Sequence, residues 1–187
     1  MERNRVFIAI ELPDAVRAQV ERLQEKLKES GADVKWVEPQ NIHLTLKFIG
    51  EVESEKWDTI YAGVTEAMGE QVKFLTSLAG IGAFPSMRRV QVVWIGVFSG
   101  AGESTDLAER IEASLQKRGF EPEKKKFVPH ITIGRVRSFK NVNQLVKLME
   151  EIPFASADFT AEAVKVIQSE LTPQGPIYSP LWEKSLS

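Results

Sequence analysis

The chain contains no cysteine, and this absence removes disulfide scaffolds, thiolate metal sites and cysteine nucleophiles together. Histidine is nearly absent as well. Only His43 and His130 occur in 187 residues, too few for a histidine-rich metal centre. Charge of one sign is also lacking: the 24 Lys and Arg against 26 Asp and Glu leave a formal net charge of -2. No global positive field therefore advertises a polyanionic partner, and any such binding must use a local patch. No apolar run reaches the length that spans a bilayer, and Met1-Glu2-Arg3-Asn4-Arg5 leads straight into Val6-Phe7-Ile8-Ala9-Ile10 without a signal-peptide pattern. The expectation is a cytoplasmic protein away from membranes. What is present, 43% hydrophobic and 27% charged residues, suits a globular chain of one compact domain or two small lobes.

Hydrophobic periodicity predicts a buried strand over residues 5–11, then a helix with apolar positions at Val16, Val20, Leu23 and Leu27, opened near Pro13 and stopped by Gly31. A short strand over 34–37 and a strand over 43–50 follow. Strict alternation in the latter puts His43, Thr45 and Lys47 on one face and Leu44, Leu46 and Phe48 on the other. A helix over 54–68 and a strand over 72–81, ending in a turn at Gly82-Ala83-Phe84-Pro85, close a first round. The second round predicts a strand over 89–97, a helix over 103–118 stopped by Gly119, a strand over 127–135, a helix over 142–150 and a strand over 159–170. A turn-rich segment from Leu171 to Tyr178 leads into a last strand through Trp182.

The two rounds correspond. Arg5-Val6 matches Arg89-Val90, Gly31 matches Gly119, and His43-Leu44-Thr45-Leu46 matches His130-Ile131-Thr132-Ile133, with offsets that drift only from 84 to 88 residues. This reads as an internal duplication, with units at about 5–84 and 89–170 and a C-terminal strand in 171–187, within a single domain of two pseudo-twofold lobes. Strands and helices do not simply alternate, so an α+β fold with mainly antiparallel sheets is expected rather than a doubly wound one.

Both histidines stand in the same pattern, His-apolar-Thr-apolar, at equivalent places in the two units. With threonine at roughly four per cent of positions, both would be followed by Thr at this spacing about once in several hundred chance sequences. Same-face neighbours on a strand lie about 6.6 Å apart, so each imidazole and its threonine hydroxyl can reach one bound group. If the duplication sets the strands across a cleft, two imidazoles and two hydroxyls converge there. A tetrahedral phosphate suits that array, with hydroxyls donating to non-bridging oxygens and imidazoles on opposite sides of the phosphorus. One neutral histidine can take a proton from the attacking oxygen while the protonated one supplies the leaving oxygen.

The paired motifs resemble those of the two-histidine (2H) phosphoesterases. Their context resembles the bacterial and archaeal RNA 2',3'-cyclic phosphodiesterases, also called 2'-5' RNA ligases. Arg5-Val6-Phe7-Ile8-Ala9, Asn41-Ile42, Phe84-Pro85, Trp94-Ile95-Gly96-Val97, Phe127-Val128-Pro129, Gly134-Arg135 and Gly175-Pro176-Ile177-Tyr178 carry the likeness over nearly the whole chain. The resemblance implies a bilobal α+β fold, two antiparallel sheets around a central cleft with helices outside. It implies cofactor-free, metal-independent hydrolysis of RNA 2',3'-cyclic phosphate ends to 2'-phosphate ends, with weak reversible 2'-5' joining. His43 and His130 are then the catalytic pair, Thr45, Thr132 and Arg135 the phosphate-binding residues, and RNA ends such as tRNA halves, or nucleotides, the partners of a monomer. Strict alternation puts Arg135 opposite His130 and Thr132, so this role needs a bulge at Gly134 to turn it inward.

Other signals are less specific. Residues 117–140 carry a net +6, including Lys125 and Lys126, enough to hold an RNA backbone beside the second motif or simply to solvate a loop. Phe48, Phe84, Phe127, Trp94 and Tyr178 are candidates for stacking a base, though strand aromatics usually pack in cores; Phe48 and Tyr178 stand as candidate RNA contacts with Lys125 and Lys126. Gly80-Ile81-Gly82 and Gly100-Ala101-Gly102 lack a phosphate-loop lysine, so an ATP-dependent ligase finds no support. Two alternatives stay open: a binding module for RNA ends or nucleotides without turnover, and a phosphodiesterase for small cyclic nucleotides, cyclic ADP-ribose phosphates or 2'-5' oligoadenylates.

Overall fold

The computed structural model describes residues 3–187. In chain order the elements are β1 (Arg3–Glu11), α1 (Asp14–Lys28), β2 (Val34–Trp36), β3 (His43–Glu53), α2 (Trp57–Met68), β4 (Phe74–Thr76), β5 (Leu78–Ser86), β6 (Arg89–Val97), α3 (Ala101–Lys117), β7 (His130–Val136), α4 (Val142–Glu151), β8 (Phe159–Ala161), β9 (Ala163–Thr172) and β10 (Gly175–Ser185). The helical spacing works as expected: α1 buries Val16, Val20, Leu23 and Leu27, and α3 buries Leu107, Ile111 and Leu115. Among the described residues no helix is long and apolar enough to cross a membrane.

Two four-stranded sheets, ordered β10-β9-β1-β3 and β2-β7-β6-β5, are antiparallel throughout, and β4 pairs with β8 in a small ribbon. Together with the helices this is the expected α+β class. Each sheet takes strands from both halves of the chain: β9 and β10 join β1 and β3, with β1 between β9 and β3, while β2 and β5 join β6 and β7. Val6 to Ile10 of β1 are all buried, because β1 is covered on both faces. Its even positions enter the large core shared by sheets and helices, and Phe7 and Ala9 form a separate cluster with Ile167 and Tyr178 on the other face.

Several boundaries differ from the periodicity. Strand β5 runs through Gly82-Ala83-Phe84-Pro85, where a turn was expected, and the chain reverses at Met87-Arg88 instead. β5 is the edge of its sheet, so the missing N–H of Pro85 leaves no ladder bond open. Residues 127–129 are a loop and β7 begins at His130, although Pro129 still accepts the Val97 N–H at 3.2 Å.

The expected faces of β3 are also corrected. In its pairing with β1, Thr45 lies opposite Ala9 and Lys47 opposite Ile8, leaving Leu46 as an extra residue. This bulge reverses the alternation. Lys47 turns to the helix-covered side, where its side chain is 2% exposed, and Phe48 turns to the side of His43 and Thr45, opposite Phe7.

Candidate active site

Each histidine opens its strand, and each is held in the same way. His43 donates Nδ1–H to the Asn41 carbonyl at 2.6 Å, and His130 donates Nδ1–H to the Val128 carbonyl at 2.6 Å. A carbonyl can only accept, so the proton sits on Nδ1 in the neutral ring and Nε2 is left free. The surroundings then diverge. His43 stacks on Phe7 at 4.6 Å and meets the Tyr178 ring edge-on at 5.4 Å. His130 meets Phe84 perpendicularly at 4.9 Å, and Trp94 at 6.1 Å lies flat over Gly82, where a Cβ would come within 2.2 Å of the indole.

Burial lowers both imidazoles. His43 is brought down to about 4, with the Asn41 carbonyl and Glu11 opposing and Arg17 adding. His130 is lowered by burial too, against the Val128 carbonyl, with Arg135 contributing. Burial raises the Tyr178 hydroxyl, while Arg135 and Arg5 pull it down. Arg135 therefore lies within Coulomb range of both His130 on β7 and Tyr178 on β10, across the two sheets.

The face of Arg135 follows from a second bulge. Thr132 pairs with Trp94 and Gly134 with Val93, so Ile133 is the extra residue, one position before the Gly134 site that alternation requires. Arg135, opposite Val92, thus shares its face with Thr132 and His130. The bulges of β3 and β7 fall at the same distance after their histidines. One turns Phe48 to the face of His43 and Thr45, and the other turns Arg135 to the face of His130 and Thr132.

The remaining candidates separate. Phe48 is 57% exposed beside Phe7, and Tyr178 closes over His43. Lys125 and Lys126 lie in the exposed loop that precedes β7, whereas Arg135, Arg137 and Lys140 lie at or beyond the strand's far end. The basic segment is therefore two separate clusters rather than one patch. Arg118 belongs to neither, being engaged by Glu66 and Ser114 on the helical side.

Several residues at the site were given no role from the sequence, Asn41 having entered only as part of the resemblance. Asn41, 8% exposed, offers its carbonyl to His43 and donates its side-chain amide to the Pro176 carbonyl at 3.1 Å, tying β10 to the first motif. Its place two residues before a histidine was the available signal. Beside His43 a recess of about 150 Å³ is lined by Glu11, Arg17, Gln40, Asn41, Tyr178 and Pro180. Glu11, paired in register with His43, is bonded at 2.7 Å to Lys165. Buried Arg17 Nε and Trp94 Nε1 have no hydrogen-bond partner among the described residues. Nothing in the local pattern marks Arg17, which reaches the site from α1.

Comparison with known proteins identifies the family. The family model described as LigT-like phosphoesterase matches twice in succession, over residues 10–94 and 97–178. The RNA 2',3'-cyclic phosphodiesterase of Methanothermobacter thermautotrophicus is 38% identical, over 94% of this chain and 95% of its own. The protein of the same name from Archaeoglobus fulgidus is 39% identical, over 95% and 97%. Among solved structures, a Thermus thermophilus protein superposes with a TM-score of 0.81 at 27% identity, covering 97% of each chain. Escherichia coli LigT complexed with 3'-AMP shares the fold, with a TM-score of 0.81 at 24% identity over 100% of this chain and 99% of that one.

Proposed function

The chain belongs to the LigT-like phosphoesterase family, and from that premise we propose that it hydrolyses RNA 2',3'-cyclic phosphate ends to 2'-phosphate ends through His43 and His130. The observation that carries the reading is the paired arrangement of the imidazoles. Each has Nδ1 committed to a carbonyl two residues back and a threonine on its own face, which leaves Nε2 free for proton transfer.

In the forward step the neutral histidine accepts a proton from water at Nε2 as the water oxygen attacks phosphorus. The other, protonated histidine gives its Nε2 proton to O3' as the P–O3' bond breaks, and the phosphate remains on O2'. Negative charge rises on the non-bridging oxygens during attack. The Thr45 and Thr132 hydroxyls and the Arg135 guanidinium are the donors that meet it, and fixed donors cost no reorganisation at that moment. A 5'-hydroxyl in place of water gives a 2'-5' linkage by the same proton transfers, which accounts for reversible joining without a nucleotide cofactor. Phe48 and Tyr178 supply aromatic surface for the terminal nucleoside beside His43.

The test offers an oligoribonucleotide ending in a 2',3'-cyclic phosphate, with EDTA present, and follows appearance of the 2'-phosphate. His43→Ala and His130→Ala should each lower kcat by about 10²–10⁴-fold, the usual contribution of a positioned acid or base. Absence of conversion by the wild type, or unchanged rates in either variant, refutes the assignment.

A further inference from the structure

Beyond Arg135 the face of β7 that carries His130 and Thr132 continues into a row of charge that the reaction does not use. Val34 pairs with Val136 and Lys35 with Arg135, so Lys35 stands directly across from Arg135. Gly134 permits this approach, since a Cβ there would lie 2.8 Å from Val34 and 3.0 Å from Trp36. Like charges directly opposed on paired strands repel. Among the described residues neither Lys35 nor Arg135 has a carboxylate within 4.0 Å. Arg137 follows two residues on, its N–H bonded to the Asp33 carbonyl at 2.8 Å, and Asp33 is the one acidic residue of the row.

The row ends in Phe139, 94% exposed, next to Lys140. This tip is anchored, not loose: Arg137 is bonded to the 31–33 turn on one side, and on the other Asn141 donates its side-chain amide to the Gly31 carbonyl at 3.1 Å. An aromatic ring presented on a fixed turn at the end of a line of unpaired cations matches how single strands are held, by backbone charge and sequence-tolerant stacking. At about 3.3 Å per residue, Arg137 lies more than 10 Å along the strand from Thr132, beyond the reach of one nucleotide bound at the reacting phosphate.

We propose that Lys35, Arg137 and Phe139 form an extended site for single-stranded RNA on the 5' side of the reacting phosphate. Lys35 and then Arg137 hold successive backbone phosphates, and Phe139 stacks a base. The proposal rests on the phosphodiesterase reading for its direction but has its own readout in binding.

The experiment uses the full chain and a 5'-labelled single-stranded RNA nonamer ending in a 2'-phosphate, with affinity followed by fluorescence anisotropy at several salt concentrations. Phe139→Ala should weaken binding by about tenfold with little change in salt dependence. Arg137→Gln should weaken it and lower the slope of log K against log salt by about 0.7. With cyclic-phosphate substrates, both should lower the ratio of kcat/KM for the nonamer to kcat/KM for a cyclic mononucleotide. The proposal is overturned if nonamer affinity is unchanged in both variants, if a duplex of the same charge binds as well with no dependence on Phe139, or if mononucleotide turnover falls as far as nonamer turnover. Failure of the phosphodiesterase reading would show differently, as absent turnover of both substrates while the binding comparison still decides the site. All three side chains are exposed, so melting temperatures should match the wild type.

Discussion

His43 occupies the more enclosed of the two histidine environments, and its protonation has consequences for both rate and stability. Folding lowers its pKa from 6.5 to about 4, so the native protein binds fewer protons than the unfolded chain between those values. The neutral ring contributes no penalty above pH 6.5, and stability falls as pH drops through that window, by about 3 kcal/mol at full extent. Urea unfolding of wild type and His43→Gln at pH 7 and pH 4.5 checks this, since the variant should lose much less stability over that interval. His130 is lowered as well. With both free-enzyme values below 6.5, the form holding one neutral and one protonated imidazole is most populated on the acid side of neutrality. The kcat/KM profile should therefore peak between about pH 4 and 6.5, and a maximum above pH 7 would contradict the burial assigned to these rings. Asn41 orients His43 and ties it to β10 through one bond. Asn41→Ala should lower stability by about 1 kcal/mol and kcat by about tenfold, because the carbonyl remains but the loop that aims it loosens. A change in stability alone would mean that the clamp does not govern alignment.

Strands β3 and β7 carry the motifs, and what could not be read from their sequences is where their pleat breaks. The motifs were legible because the only two histidines share a spacing with two threonines, one pair in each of the two stretches that match the family. Alternation then gave the right face for Thr45 and Thr132 and the wrong one for Lys47, Phe48 and Arg135, which lie just past Leu46 and Ile133. An extra residue in a ladder depends on the partner strand's register, and neither Leu-Lys nor Ile-Gly advertises it. The β3 bulge has an energetic counterpart in Lys47. Its ammonium lies 2.6 Å from Glu112 and 3.2 Å from the Glu121 carbonyl, and Glu112 also accepts the Glu123 N–H at 3.0 Å. One buried cation thus fastens β3 to α3 and to the loop that leads into the second motif. Lys47→Met should cost about 3 kcal/mol in urea unfolding, less if water reaches the part-exposed Glu112, and adding Glu112→Leu should recover much of the loss. Equal destabilisation in the single and double variants would indicate lost packing instead of an unpaired charge.

Across the whole molecule, the repeat in the sequence and the sheets in space are divided differently. The family match recurs over residues 10–94 and 97–178, yet β2 of the first stretch pairs with β7 of the second and β4 of the first with β8 of the second, while β9 of the second pairs with β1. Helix spacing and glycine stops told the elements apart. Strand partners were not legible, because antiparallel pairing depends on which edges are left to meet after the helices pack. We read the chain as one cooperative unit on this ground. A fragment of residues 1–88 should show no cooperative unfolding transition, while the full chain should unfold in a single step by circular dichroism and fluorescence alike. A fragment with a sharp transition of its own would refute that reading.

The same exchange sets a timetable for synthesis. Val6 to Ile10 leave the ribosome about 150 residues ahead of the strand that covers the second edge of β1, roughly 8–30 s earlier at ordinary elongation rates. Throughout that interval the nascent chain carries an apolar segment with an open edge, the kind of edge that templates aggregation until β9 covers it.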